Sequence, residues 1–224
     1  MLPFWPPALV AAIVVAAAVA AWIDPRAGLA VALGAAVFPI GNVAESAAIL
    51  YGVFAIGWLV LNWRDGRHGL LFVAGPILAA VGLLPLVPLA VQRAQGTVRR
   101  GAHGVLAVLS AALLAAVGGG TIPIADESSG SLGIEPLTPV AGASISVWDW
   151  LLAHPATSVA ALLVGAAAAI LPWARRASQY GVGVAGFVLV AASVLAGSGI
   201  MSTLVCLAAW AIAGVSASAF RRVS

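Results

Sequence analysis

One carboxylate interrupts a long apolar stretch: Glu45, in the run Asn42-Val43-Ala44-Glu45-Ser46. Its spacing supports two chemistries. Asn42 and Glu45 stand three apart, as in a capping box, where an N-cap side chain bonds forward and an acid bonds back. Pro39 and Gly41 just before them fit a helix end and a turn, and the acid would meet the positive end of the next helix dipole. In the other reading the turn lies deeper, and Asn42, Glu45, Ser46 and Tyr51 form a polar pocket for proton coupling or cation binding. The preceding segment, 25–40, would be only about 24 Å long as a helix, so a deep turn is geometrically possible. No second acid or base within the apolar segments is at hand to pair with Glu45.

The remaining reactive residues exclude more than they suggest. All ten basic residues are arginine and none is lysine. A P-loop, a kinase active site and Schiff-base chemistry each need a lysine, so none can be built from this chain. The single cysteine, Cys206, lies in an apolar run and reads as a small core residue, with no partner for a disulfide or metal cluster. His68 and His103 stand beside arginines and read as interfacial polar residues. Asp126-Glu127-Ser128-Ser129 lacks the spacing of a calcium loop. Gly181, Gly183 and Gly186 follow no strand and fit close helix packing better than nucleotide binding. No catalytic residue, cofactor site or metal site emerges.

The elements that would position these residues follow from composition. The chain has 224 residues, 63% hydrophobic and only 8% charged, with mean hydropathy +1.13. A soluble domain carries about 25% charged residues. These numbers predict an all-α, polytopic transmembrane helical bundle, one integral membrane domain over 1–224 whose first partner is the lipid bilayer. Eight apolar segments can be marked, at about 8–23, 25–40, 43–62, 69–92, 102–117, 155–174, 179–197 and 200–219. The pI near 10.0 does not point to nucleic acid, because the arginines fall in ones and twos at segment ends. Every arginine lies in the connections 24–26, 63–68, 93–103 and 174–178 or in the C-terminal tail, while Glu45, Asp126, Glu127, Glu135 and Asp149 fall in the other connections. The arginine-bearing set is therefore predicted to be cytoplasmic, in a cell membrane.

Segment 69–92 disturbs that alternation, since both of its ends carry arginines. It contains Pro76, Gly82, Pro85 and Pro88. A proline-broken re-entrant hairpin would leave about seven spans, with the N-terminus outside and the C-terminus cytoplasmic; a single kinked span is the alternative. The stretch 118–154 is rich in Gly, Ser and Pro and reads as a flexible acidic outside loop. Ser146 and Asp149 suggest a capping box opening a short interfacial helix near 147–153. Trp63, Trp148 and Trp150 read as interfacial anchors. Gly197-Ser198-Gly199 reads as the turn between the last two spans.

The stretches DPRAGLAVALGAAVFPIGNVA (24–44) and LVLNWRDGRHGLLFVAGPILAAVGLLPLVPLAV (59–91) resemble the hydrophobic C-terminal membrane region of actinobacterial serine/threonine protein kinases. The resemblance covers roughly 3–117 and carries over no catalytic residue, because no kinase motif is present. It implies a cytoplasmic effector domain encoded upstream, in which case MLPFWPP would be an outside turn and Met1 an internal methionine. The expected function is a non-catalytic, multi-pass membrane anchor or sensor, with a small transporter or channel subunit working at Glu45 as the alternative.

Overall fold

The computed structural model describes residues 7–117, 132–135, 137–177, 180–195 and 200–223, and all regular structure among them is helical. Residues 1–6 of the expected outside turn, 118–131 of the expected acidic loop with its 126–129 stretch, and the 197–199 turn lie outside the described residues. Among the described residues two helices, Thr97–Ala116 and Pro155–Ala177, are long and apolar enough to cross a membrane. The chain divides into two compact units: Met1–Leu70 with Leu132–Ala153, and Leu71–Ser131 with His154–Ser224.

The first unit starts with α1 (Pro7–Ile23) and α2 (Pro25–Ala35), which pack together as a hairpin. Asp24 makes the turn. It is extended, its carboxylate accepts from the Arg26 N–H at 3.0 Å, and Pro25 occupies the first helical position, where a missing N–H does no harm. Gly28 faces Ala21 so closely that a Cβ there would overlap its backbone. The single helix expected over 25–40 breaks at Ala36 into α2 and α3 (Val37–Val43). Pro39 has no N–H for the Ala35 carbonyl, so the helix rewinds, and Ile40 N–H bonds the Ala36 carbonyl at 3.3 Å.

Helix α4 (Glu45–Leu61) follows α3 after one extended residue, Ala44, at φ −157° and ψ 131°. The capping box expected at Asn42 and Glu45 does not form. Asn42 is inside α3, the N-cap is Ala44, and no side chain caps it. Ala44 and Ser46 are both buried, so packing fixes the break where a cap was expected to. The last helix of this unit, α8 (Val140–Ala153), packs on α4. It is twice the length expected from the 147–153 reading. Ser146 lies within it, and the helix opens at Pro139, whose carbonyl receives the Ala143 N–H at 2.9 Å.

The second unit begins with the proline-rich segment. It forms a 3₁₀ turn at Leu71–Val73, then α5 (Ala74–Ala80), a 3₁₀ turn at Leu84–Leu86, α6 (Val87–Ala90) and a 3₁₀ turn at Val91–Arg93. Gly82, at φ 71°, ends α5: Leu83 N–H bonds the Leu78 carbonyl at 2.7 Å and Gly82 N–H bonds Ala79 at 3.0 Å. This is a Schellman stop, and only glycine takes that φ without strain.

Around the broken segment pack α7 (Thr97–Val117), α9 (Pro155–Ala177), α10 (Gly181–Leu195) and α11 (Ile200–Val223). Gly101 lies opposite Ala169, and Gly104 opposite Gly165 and Ala168, which is the order of an antiparallel pair. Gly186 takes the Trp210 indole and Gly214 approaches Gly183, so α10 and α11 are antiparallel too. Small residues at these crossings let the backbones approach closely. The core they enclose includes Val87, Val91, Ala107, Leu171, Cys206 and Trp210.

Candidate functional site

The residues expected to form a polar pocket do not converge. Asn42 and Glu45 are exposed, and Ser46 is buried with its hydroxyl unbonded. Tyr51 reaches elsewhere: its hydroxyl donates to the Leu33 carbonyl at 3.1 Å. Leu33 stands in the last turn of α2, where carbonyls lack helical partners, so Tyr51 caps a helix end. No hydrogen bond joins these four side chains to one another.

A denser polar arrangement lies where α4 ends, at 58–69. Asn62, 1% exposed, donates through Nδ2 to the Trp58 carbonyl at 3.1 Å, and the Trp58 indole donates to the Gly69 carbonyl at 2.7 Å. The buried Asp65 carboxylate meets His68 Nδ1 at 2.6 Å. That geometry suits an Nδ1–H donating to the carboxylate, which fixes the ring. The connection is also folded against the α1–α2 turn. A Cβ on Gly66 would stand 3.0 Å from the Pro25 and Arg26 backbone, and the Arg26 guanidinium lies 5.3 Å over the Trp63 ring. Thus two arginine-bearing connections meet at one end of this unit. The Asp65-x-x-His68 spacing was a usable signal for the ion pair; nothing in the sequence pointed Trp58 at Gly69.

Of the three expected aromatic anchors, Trp63 and Trp148 are exposed, whereas Trp150 is buried. Neighbours along a helix point about 100° apart. Trp150 therefore fills the inner face of α8 while Trp148 keeps the outer one.

In the second unit the prolines of the 69–92 segment create the site's main chemical requirement. Pro88 has no N–H with which to close a turn onto the Pro85 carbonyl, and that carbonyl accepts the Trp210 indole N–H at 3.2 Å. Pro172, inside α9, likewise cannot donate to the carbonyl of Ala168. Gln92 supplies the missing donor: Nε2 bonds Ala168 at 3.1 Å and Pro88 at 2.7 Å. Pro76, in the first turn of α5, needs no such rescue. Gly75 lets α5 approach α7 so closely that a Cβ would overlap the Ala107 carbonyl. His103 is fully buried and stacks on Phe72, with ring centroids 6.4 Å apart.

Among the described residues no three His, Cys, Asp or Glu side chains stand close enough to hold a metal ion. The chain matches no protein-family model, no curated protein and no solved structure.

Proposed function

We propose that the chain is a multi-pass membrane domain, without catalytic machinery of its own, that anchors and senses for an effector on its arginine-bearing side. The observation that carries this is the pattern of exposed apolar side chains. Ile49, Val53, Ile56 and Val60 run down one face of α4, and Val159, Leu162, Leu163, Ile170 and Trp173 down α9. Each such side chain left in water forgoes about 1.5–3 kcal/mol, against a net stability of about 5–15 kcal/mol for a whole domain. Faces of this kind need an apolar solvent.

Seven spans then correspond to α1, the α2–α3 pair, α4, α7, α9, α10 and α11. Several are short: 17 residues in α1 and α4 make about 25 Å, so these spans fit a locally thinned bilayer. The contact between the 24–26 and 63–68 connections supports a common side for their arginines. So does the α7–α9 register, which puts Arg99 and Arg100 at the same end of the pair as Arg175 and Arg176. The resemblance noted above points to a serine/threonine protein kinase domain as the effector.

Two measurements test the proposal. Single cysteines replacing Arg64 and Leu137, in the Cys206→Ala background, should label from opposite sides of sealed membranes. Labelling of both from one side would sink the topology. Translation of the upstream coding frame should reveal a kinase domain, and a stop codon there would end the kinase link while leaving the membrane reading intact.

Transport at the polar turn around Glu45 is a second reading, favoured by the buried, unbonded Ser46 hydroxyl beside it. Under it, Glu45→Gln abolishes flux in proteoliposomes without lowering expression. Unchanged flux would dismiss it.

A further inference from the structure

A groove of about 710 Å³ runs along the α1–α2 hairpin, lined by Val14, Ala17, Ala18, Leu29 and Ala32 and closed at one end by Gly66, Arg67 and Leu70. Arg67 is the one ionisable residue in its wall. Arg67 is exposed and forms no ion pair among the described residues. A second groove on the same hairpin, about 500 Å³ and lined by Ile13, Val31 and Phe38 among others, has no charged residue in its wall. One hairpin thus carries two apolar grooves, of which one ends in a cation.

We propose that the Arg67 groove binds one anionic phospholipid, with an acyl chain along α1 and α2 and the phosphate on the Arg67 guanidinium. The inference rests on the membrane reading and adds a specific ligand class to it. Charge complementarity selects the occupant. An apolar trough suits any acyl chain, but a guanidinium at its mouth presents a fork of donors matched to phosphate oxygens. A zwitterionic lipid brings a compensating ammonium group, so its attraction to the same arginine is weaker. Arg67 also belongs to the 63–68 connection, which, with the 24–26 connection it touches, is assigned to the cytoplasmic side, where anionic headgroups lie. The width of the trough comes from small side chains: Ala17, Ala18 and Ala32 leave room that leucines would fill.

The test is native mass spectrometry of the full chain in non-ionic detergent, titrated with dioleoyl phosphatidylglycerol and, in parallel, dioleoyl phosphatidylcholine. The wild-type chain should retain the glycerol lipid about five-fold better, the effect expected of one basic side chain near a phosphate. Arg67→Gln should remove that preference, whereas Arg64→Gln, one turn away and outside the groove, should keep it. Ala18→Trp should lower binding of both lipids by filling the trough. Its fold is checked by gel filtration, and Arg67→Gln, a surface change, carries the test should it aggregate. Equal retention of the two lipids by the wild type, or equal losses in Arg64→Gln and Arg67→Gln, would overturn the proposal. Failure of the membrane reading is separately visible, as release of the chain from membranes by alkaline wash without detergent.

Discussion

The two units cover their broken helices in different ways. In the first, the donors come from nearby in sequence. Trp58 reaches Gly69 eleven residues on, and Tyr51 reaches Leu33 eighteen residues back. In the second, Gln92 bonds Ala168 at a separation of 76 residues, and Trp210 bonds Pro85 at 125. Away from water each exposed carbonyl needs a donor, so every break in a helix becomes a requirement on some other side chain. Local donors make the first unit's helix ends nearly self-sufficient. The second unit's proline-rich segment is complete only when α9 and α11 have docked, so its loop-closure entropy must be met before those bonds form.

The strongest way to break this comparison is Gln92→Leu. It removes one amide serving two carbonyls, leaving Pro88 and Ala168 without that donor in the interior of the unit. Each orphaned group costs about 1–3 kcal/mol, so a loss of about 2–6 kcal/mol is expected, read as a fall in the thermal midpoint in detergent. Hydrogen exchange should rise around 84–93 and 165–172 while α1–α4 stays protected. Protection lost equally in both units would show that they do not stabilise separately.

Next in size is Gly75→Ala. Its Cβ would overlap the Ala107 carbonyl, which is backbone and cannot rotate aside, so α5 must shift from α7 at about 1–3 kcal/mol. Gly28→Ala poses the same problem against Ala21 in the first unit. Gly183→Ala, with open space at its Cβ, is the control and should leave the midpoint unchanged or slightly raised. A tolerated Gly75→Ala would mean that the helix contact there is loose.

The indole donors sharpen the contrast between local and distant covering. Trp58→Phe removes a bond of 2.7 Å to Gly69, and Trp210→Phe one of 3.2 Å to Pro85, at about 1–2 kcal/mol each. The energies are similar but the kinetics should differ. Trp210→Phe should expose the proline-rich segment to protease, because its covering comes from the far end of the chain. Trp58→Phe should raise exchange only at 58–69. Equal proteolysis of both variants would remove the distinction.

Much of the helical layout was legible, because prolines and glycines mark both ends of the apolar runs. Pro25 and Pro155 open α2 and α9 where expected, and Gly82 stops α5. The expected start at 43 and the observed one at Glu45 agree to within two residues, but for the wrong reason. Asn42 and Glu45 have capping-box spacing, yet the break sits at Ala44 because Ala44 and Ser46 are buried, and burial outweighs a cap worth about 1 kcal/mol. The same rule misplaced α8, where Thr138-Pro139 was the opener and Ser146 merely a polar residue inside the helix. The start of α7 was set late because Thr97-Val98-Arg99-Arg100 is polar, although nothing in it resists helix. The donor network was illegible for a different reason. Pro172 announces that the Ala168 carbonyl lacks a partner, but only the tertiary fold says that Gln92 supplies it.

The smallest expected effects concern hydroxyls that serve no bond. Ser46 in the first unit and Thr157 in the second are buried, and their Oγ atoms have no hydrogen-bond partner. Removing an unsatisfied polar atom while keeping its volume should be neutral or stabilising. Thr157→Val, nearly isosteric, should stabilise the chain by up to about 1 kcal/mol, read as a rise in the thermal midpoint. Ser46→Ala leaves a small gap, which offsets part of the gain, so its midpoint should move less. These two variants also bear on the competing functions. A hydroxyl kept only for packing can be deleted without consequence, whereas one that joins Glu45 in holding a cation cannot. If Ser46→Ala is stable but transports less than wild type in proteoliposomes while Thr157→Val transports normally, the turn around Glu45 carries a function beyond joining two helices. If both are stable and unchanged, the first unit's polar turn is structural, and the arginine-bearing end of that unit is where its chemistry must be sought.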